Sequence, residues 1–258
     1  MTPAMRQVVF INAAHTFTHY CLLILATAVL AMVTQDPAIF GGDFGPVLTL
    51  GTTMFITYGL GALPMGWLAG KFGRRVVMTS FFLGTGFFMA MTGFMNTPMA
   101  VGLSLGLMGC FAAVYHPIGT AVLVEAAGEK VGRAMGINGV FGNFGVATAP
   151  IVTAFVAATL GWRWAFILPG IACFAVGLFY MREPEFDAVK AGGGARPFPE
   201  IPRAVVRRAV MILLAIAAVS GLVFNAYTLL IPKLMQERLA NNPDLLPVVG
   251  LLAFLATI

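Results

Sequence analysis

The chain has 258 residues, of which 59% are hydrophobic and only 10% are charged. Soluble domains carry about 25% charged residues, so these charges are too few to cover a globule of this size. The composition indicates a membrane protein and excludes a secreted enzyme, a nucleic-acid-binding domain and a disulfide scaffold. The net charge of +5 is expected to face the anionic cytoplasmic leaflet of the lipid bilayer. Cys21, Cys110 and Cys173 all fall within apolar stretches and are predicted to be small buried residues.

Long apolar stretches separated by short polar loops predict an all-α membrane protein. Since backbone polar groups must be satisfied within lipid, stretches of these lengths favour helices over the roughly ten-residue strands of a barrel. The predicted spans are 8–33, 45–70, 76–95, 98–124, 134–159, 163–181 and 209–231, and an eighth begins near Leu245. The first stretch exceeds the apolar core of a signal peptide, about 7–15 residues, so it is expected to be retained as a helix.

The distribution of cationic side chains predicts the orientation. All Lys and Arg residues except Arg163, Lys233 and Arg238 fall on the side of the N-terminus, which predicts a cytoplasmic N-terminus in a bacterial-type inner (plasma) membrane. The longest polar segment, 182–208, is predicted to be a cytoplasmic linker. It separates a six-helix unit, 1–181, from the start of a second unit, 209–258, which is expected to be truncated because the sequence stops inside an apolar run.

A glycine-rich, cationic loop lies between the second and third predicted spans. Its glycines permit a tight turn, and its cations can pair with helix C-termini. Its notable residues are Gly66, Leu68, Gly70, Lys71, Gly73, Arg74 and Arg75. The segment resembles the loop signature of the major facilitator superfamily, G-x-L-x-D-r-x-G-r-r, which helps to control conformational switching. Gly70 replaces the usual Asp, so the charge relay of the family's loop is in doubt. The alternative is a generic loop placed by the positive-inside rule.

Two further segments resemble the same family. The run Gly161–Phe166 looks like its G-W-R-W-x-F entry to the sixth helix, with Trp162 and Trp164 expected as interfacial anchors. On the fifth predicted helix, Gly145, Ala149 and Pro150 are similar to the family's antiporter signature g-x-x-x-G-P-x-x-G-G. Only Gly145 and Pro150 are kept outright, and close packing through small residues is the alternative explanation.

Three histidines are the strongest candidates for a functional site. His15 and His19 lie one turn apart on the first span, beside Asn12, and His116 follows Tyr115 on the fourth. Counted from the cytoplasmic ends, His15 and His116 lie at nearly equal depths, so they are predicted to face one another across a cavity. Ionisable groups at this depth are functional candidates by default, and imidazole is suited to carry protons. The alternative is that each ring bonds a nearby carbonyl.

Other polar residues are secondary candidates for the same cavity. Asn143 and Asn225 lie within the fifth and seventh spans, although a helix–helix hydrogen bond explains Asn225 equally well. Tyr20, Tyr58, Asn138 and Tyr227 complete this group. His-x-x-x-His with a third histidine could form a three-nitrogen metal site, but no carboxylate is visible to orient the rings. No metal and no cofactor are therefore expected.

The helix-four sequence Tyr115-His116-Pro117 with the helix-one histidines resembles the fosmidomycin-resistance branch of the superfamily. This resemblance implies a helical bundle of two six-helix halves, each built from inverted three-helix repeats, with a solute site at their interface. It implies alternating-access transport of a small organic solute or drug, with proton-coupled efflux expected and proton-coupled uptake as the alternative. The full-length protein is expected to be monomeric.

Another class of function is a non-transporting scaffold or partner-binding half-transporter, which would follow if the chain ended at Ile258. The sequence contains no phosphate-binding glycine loop, nucleophile elbow or paired carboxylates, so an enzyme is not expected. An ATP-driven pump would need a soluble nucleotide domain. The proton gradient is therefore the expected source of energy.

Overall fold

The computed structural model describes residues 1–185 and 201–257, and these ranges contain helices and turns without a strand. The α-helices are α1 (Pro3–Gln35), α2 (Pro37–Phe40), α3 (Phe44–Leu48), α4 (Thr52–Gly61), α5 (Met65–Phe72), α6 (Arg74–Thr92), α7 (Pro98–Ala112), α8 (Thr120–Ala127), α9 (Val131–Leu160), α10 (Trp162–Tyr180), α11 (Arg203–Arg238) and α12 (Leu246–Thr257). A π-helical turn, Tyr115–Gly119, joins α7 to α8, and 3-10 turns occupy Thr49–Gly51, Gly128–Lys130 and Pro243–Leu245.

Within the described ranges, five helical stretches are long and apolar enough to cross a membrane, and a sixth is formed if α3–α5 count as one bent span. One of the five, Pro98–Leu160, has 63 residues, about three times the length that crosses the hydrocarbon core. It reverses at Gly128, whose φ is +54°. Because Tyr115 before the reversal bonds Asn138 after it, the stretch folds back on itself and supplies two spans. With α12, this arrangement agrees with the seven spans and the eighth start predicted from sequence.

Three helix pairs organise the first six spans. The most extensive contacts join α1 to α9, α4 to α7, and α6 to α10. In span numbers, the α1–α9 pair joins spans one and five, the α4–α7 pair joins spans two and four, and the α6–α10 pair joins spans three and six. If spans one, two and three are exchanged with spans four, five and six, the first pair becomes the second and the third pair is unchanged. This pairing is the one that two related three-helix repeats produce.

Glycines bring the backbones of α6 and α10 together. A Cβ added to Gly86 would clash with the backbone of Phe174, and one added to Gly170 would clash with the backbone of Ala90. Small residues at such crossings let transmembrane helices approach closely and gain dispersion contacts along their length. The close approach fixes α10 against α6, whose Phe81 lies with its ring 6.2 Å from that of Tyr115.

The second predicted span, 45–70, is not a single straight helix. The stretches Phe44–Gly61 and Met65–Phe72 meet at an angle of 61°. The expected glycine turn is also more local than predicted, since Gly66 and Gly70 lie inside α5. The turn itself is at Gly73, whose φ of +85° lies in the region where a side chain would be strained.

Two sequence expectations about burial were wrong. Trp162 is not an interfacial anchor: it is 2% exposed, packs against Phe40 and donates its indole N–H to Asp36. A buried indole needs such a partner, and the acceptor lies on a distant part of the sequence. Cys110 is exposed, because it shares an exposed face of α7 with Leu103 and Leu107.

The predicted cytoplasmic linker, 182–208, is described only at its two ends. Residues 182–185 follow α10, and residues 203–208 form the first turns of α11. Lys190, Arg196 and the run Gly192–Gly194 lie outside the described residues. The division of the chain into units 1–181 and 209–258 stays a prediction.

Candidate functional site

The structure brings His15, His19 and His116 together, and these three residues are called the histidine cluster below. Each offers a ring nitrogen, and the three nitrogens lie within 4.8 Å of one another. The ring centroids of His15 and His19 are 4.9 Å apart, and that of His116 lies 5.6 Å from His15. The cluster therefore joins the first span to the fourth, with His116 on its exposed side.

Local helix geometry aims these rings at each other. His15 and His19 are separated by one turn of α1, so their side chains lie on one face. His116 lies in the π-helical turn Tyr115–Gly119, beside Pro117, which has no N–H to donate. Single π turns within helices are frequent at functional sites, because the extra residue redirects neighbouring side chains. Here the turn places His116 on the exposed side of the cluster.

Asn138 of α9 connects the cluster to a buried polar network. The His15 ring donates from Nδ1 to the Asn138 backbone carbonyl at 2.7 Å. The Tyr115 hydroxyl donates to Asn138 Oδ1 at 2.8 Å, and Asn138 Nδ2 donates to Asn12 Oδ1 at 2.9 Å. Asn138 is only 3% exposed, and the rings of Tyr115 and His15 stack with centroids 4.7 Å apart. The network fixes the position of the His15 ring.

These hydrogen bonds also fix the tautomer of His15. A carbonyl oxygen only accepts, so Nδ1 of His15 carries a hydrogen and the lone pair of the neutral ring lies on Nε2. That Nε2 is 3.1 Å from Nε2 of His19. In the neutral cluster, His19 donates to His15, which donates to Asn138. A continuous chain of hydrogen bonds thus runs from the cluster into α9.

Two further helices, and a glycine of α9, contribute to the surroundings of the cluster. The ring of Tyr58 in α4 lies 6.4 Å from that of His116, and the ring of Phe224 in α11 lies 6.4 Å from that of His19. Gly142 of α9 makes room for His15, since an added Cβ would lie 2.5 Å from the imidazole carbon Cε1. Parts of five spans therefore surround the histidines.

Two candidates from the sequence lie outside this network. Asn143 is exposed on α9, and it lies about 140° around the helix from Asn138. The amide of Asn225 donates to the carbonyl of Gly221 on its own helix at 2.8 Å. Sequence reasoning placed Asn138 only among the secondary candidates, because a helix pattern does not show which of several asparagines meets a neighbouring helix.

The residues of the helix-five signature lie at two helix contacts. A Cβ on Gly145 would clash with the backbone carbonyl of Thr16 in α1. The carbonyl of Pro150 lies 2.8 Å from the position of a Cβ on Gly250 in α12, and Ala149 is fully buried. These small residues let α9 pack closely against both α1 and α12.

The loop after α5 is held by acidic residues from distant parts of the chain. The backbone N–H groups of Arg74 and Arg75 donate to the Glu185 carboxylate at 2.8 and 3.2 Å. This carboxylate therefore caps the N-terminus of α6, next to the turn at Gly73. The guanidinium of Arg74 also forms an ion pair with Glu125 at the end of α8.

Glu183 provides a second link on the same side of the bundle. Its carboxylate pairs with Arg6 of α1 at 2.9 Å, and its carbonyl accepts from the Arg75 guanidinium at 3.2 Å. Lys71 lies over the ring of Trp67, with Nζ 5.3 Å from the centroid.

Sequence reasoning missed both Glu183 and Glu185. The signal was the acidic Arg182-Glu183-Pro184-Glu185 run, which follows the sixth span on the side of the cationic loop.

Comparison with known proteins identifies the family. The family model described as Major Facilitator Superfamily matches residues 10–258. The chain belongs to the major facilitator superfamily. This membership, with the long apolar helices, makes it a multi-pass membrane protein with the helical-bundle fold of these transporters, as the sequence predicted.

The curated relatives of this superfamily member are transporters that match over part of their length. A probable L-galactonate transporter of Escherichia coli (strain K12) is 31% identical over 54% of this chain and 30% of the relative. A probable hexose phosphate transport protein of Chlamydia pneumoniae is 28% identical over 54% of this chain and 30% of the relative. The uncharacterized MFS-type transporter YfnC of Bacillus subtilis (strain 168) is 37% identical over 34% of this chain and 22% of its own length. The chain thus spans under a third of these relatives.

Proposed function

We propose that the protein is a secondary active transporter that couples the movement of a small organic solute to protons by alternating access. The observation that supports this most is the histidine cluster, whose three ring nitrogens, from the first and fourth spans, lie within 4.8 Å of one another. No Asp or Glu lies in the middle of the first seven spans, so the imidazoles are the ionisable groups best placed to carry a proton.

The hydrogen-bond chain supports a coupled role for the rings. His15 is held by Asn138, while His116 lies on the exposed side, where a proton or a solute can arrive first. Two protonated rings at this spacing would repel each other, so the cluster favours holding one proton at a time. In this proposal, the loop from Gly66 to Arg75 stabilises one of the two access states through its contacts with Glu125 and Glu185.

An organic anion is the proposed class of solute. The relatives are named for L-galactonate and hexose phosphate, both of which are anions at neutral pH. A protonated imidazole in a low-dielectric cavity attracts such a charge. We retain efflux as the direction, on the resemblance to the fosmidomycin-resistance branch, with uptake as the alternative. The proposed location is a bacterial-type inner membrane, with a cytoplasmic N-terminus and the proton gradient as energy source.

The proposal is tested with the full chain reconstituted in vesicles that contain a pH-sensitive dye. Candidate anions are added in turn: L-galactonate, a hexose phosphate and fosmidomycin. We expect a transported anion to move protons, and we expect His19→Gln and His116→Gln to abolish that movement. Cys110→Ser, an exposed change on α7, is the control and should behave like the unaltered protein. Anion-driven proton movement that persists in both histidine variants would disprove the role of the cluster.

The direction of transport is tested in whole cells. Cells that make the protein should accumulate less of the transported anion than cells that make His116→Gln. A higher accumulation would instead establish uptake. Both results are read against the amount of protein in the membrane, because a variant that is made poorly would mimic a loss of transport.

A further inference from the structure

We propose that the histidine cluster is also a binding site for a divalent transition-metal ion of the zinc, cobalt and nickel class. The described residues contain one group of three or more potential metal-ligating side chains whose donor atoms converge, and it is this cluster. Imidazole nitrogens suit these ions, whereas magnesium and calcium prefer oxygen ligands. The inference does not rest on proton coupling, since a transporter of any mechanism can hold such an ion.

The spacing of the first two donors fits a tetrahedral ion. Two nitrogens that each lie about 2.0–2.1 Å from a tetrahedral zinc ion are separated by about 3.3–3.4 Å. Nε2 of His15 and Nε2 of His19 are 3.1 Å apart. An ion that replaces the hydrogen bond between them therefore needs a small outward movement of the two nitrogens and a rotation of the rings that aims both lone pairs at the ion. Because His15 and His19 lie on the same face of α1, their two nitrogens are already close together without an ion.

His116 supplies the third donor from the opposite element. Its ring nitrogen lies within 4.8 Å of the other two, so an approach of at most about 1.5 Å completes a three-nitrogen site. The exposed position of His116 leaves its side chain room for that rotation. A fourth position on the ion would stay open for water or for an anionic solute, as in zinc sites with three histidines.

The orientation of His15 is the decisive feature. Histidine ligands to metals almost always donate their second ring N–H to a carboxylate, a backbone carbonyl or water, which fixes the tautomer and aims the free lone pair. His15 donates Nδ1–H to the Asn138 carbonyl at 2.7 Å, and this leaves Nε2 facing His19. The sequence offered no carboxylate for this role and so favoured no metal. The fold supplies a carbonyl from a helix more than a hundred residues away.

The test measures metal binding by the full chain, purified through a tag that contains no histidine. Co²⁺ is titrated while the visible absorption of a tetrahedral cobalt site is followed, and Zn²⁺ is then added to displace it. We expect saturation at one ion per chain. His19→Gln and His116→Gln should each weaken binding by more than about tenfold, since even orienting partners contribute about 10- to 100-fold to metal affinity.

Two controls separate this site from other binding. Glu237→Gln, which removes an exposed carboxylate on α11, should keep the affinity and exclude binding through that carboxylate, and Cys110→Ser should exclude binding through the exposed thiol. The proposal is overturned if Co²⁺ shows no saturable tetrahedral site, or if both histidine variants bind as tightly as the unaltered protein. Proton coupling is measured separately in vesicles treated with a chelator to remove metal ions. A failure of metal binding therefore does not count against proton-coupled transport, and a failure of transport does not count against metal binding.

Discussion

His15 and Asn138 are joined across the α1–α9 contact by a hydrogen bond of 2.7 Å from the imidazole Nδ1 to the backbone carbonyl. The side chain of the same asparagine accepts from Tyr115 and donates to Asn12. One buried residue therefore holds the His15 ring through its backbone carbonyl and satisfies two other polar groups through its side chain. Because water is scarce at this depth, these groups depend on each other.

Replacing Asn138 with Ala should destabilise the protein. The change leaves the Tyr115 hydroxyl and the Asn12 amide without their partner in a buried site, and an unsatisfied buried polar group costs about 1–3 kcal/mol. We expect a lower midpoint of thermal unfolding in detergent. The backbone carbonyl stays in place, so His15 keeps its acceptor and the loss should be one of stability more than of ring orientation.

Asn143→Ala provides the matched control for this measurement. It is the same substitution on the same helix at an exposed position, and we expect its free energy of unfolding to stay within about 0.5 kcal/mol of the unaltered protein, with little change in the thermal midpoint. Equal effects of the two substitutions would show that the network around Asn138 contributes nothing specific.

Gly145→Ala should disrupt the contact between α9 and α1. A single added methyl group would clash with the Thr16 carbonyl, which is backbone and cannot move aside cheaply. Overpacking of this kind costs about 1–3 kcal/mol. Gly139→Ala, on the same helix with nothing within 4 Å of the added Cβ, should be neutral or slightly stabilising. Chemical unfolding of both variants tests the contrast, and a stable Gly145→Ala protein would contradict it.

The lengths of the apolar stretches made most of the fold predictable from sequence. The described helices follow the predicted spans, because a stretch of apolar residues in lipid has few alternatives to a helix. The meeting of His15 with His116 was also foreseen, since depth along two spans can be counted from the residues that flank them.

What the sequence could not show was which side chain meets which across helices. Trp162 donates a hydrogen bond to Asp36, and the backbone amides of Arg74 and Arg75 donate to Glu185. Each pair is separated by more than a hundred residues of sequence. Helix periodicity gives a residue's face but not its neighbour. The π turn at Tyr115–Gly119 is a second case: Pro117 predicted a bend, but not the insertion that redirects His116.

Glu185→Ala should loosen the start of α6. The carboxylate accepts from the amides of Arg74 and Arg75, and loss of such a cap costs about 0.5–2 kcal/mol. We expect faster amide hydrogen exchange in the first turn of α6, measured by mass spectrometry. Glu237→Ala is the control, because Glu237 pairs at 3.6 Å with Lys233 on the same exposed helix turn, a contact of about 0.2–0.5 kcal/mol. Unchanged exchange in α6 would rule out the cap.

Arg163→Lys should destabilise the opposite end of the bundle. The guanidinium donates to the carbonyls of Gly93 and Met95 at 3.1 and 3.0 Å and to the Asn96 side chain at 2.9 Å. It also lies over the ring of Trp162, 4.5 Å from the centroid. A lysine keeps the charge but lacks the planar fork that reaches these acceptors together.

The free energy of unfolding is expected to fall by about 1–3 kcal/mol. The carbonyls that follow α6 would lose hydrogen bonds from a charged donor, which are stronger than those between neutral groups. Arg238→Lys, at the exposed end of α11, is the matched control and should unfold like the unaltered protein. If the two lysine variants unfold at the same denaturant concentration, charge alone explains the role of Arg163. If only Arg163→Lys is weakened, the geometry of the guanidinium holds α10 to the end of α6.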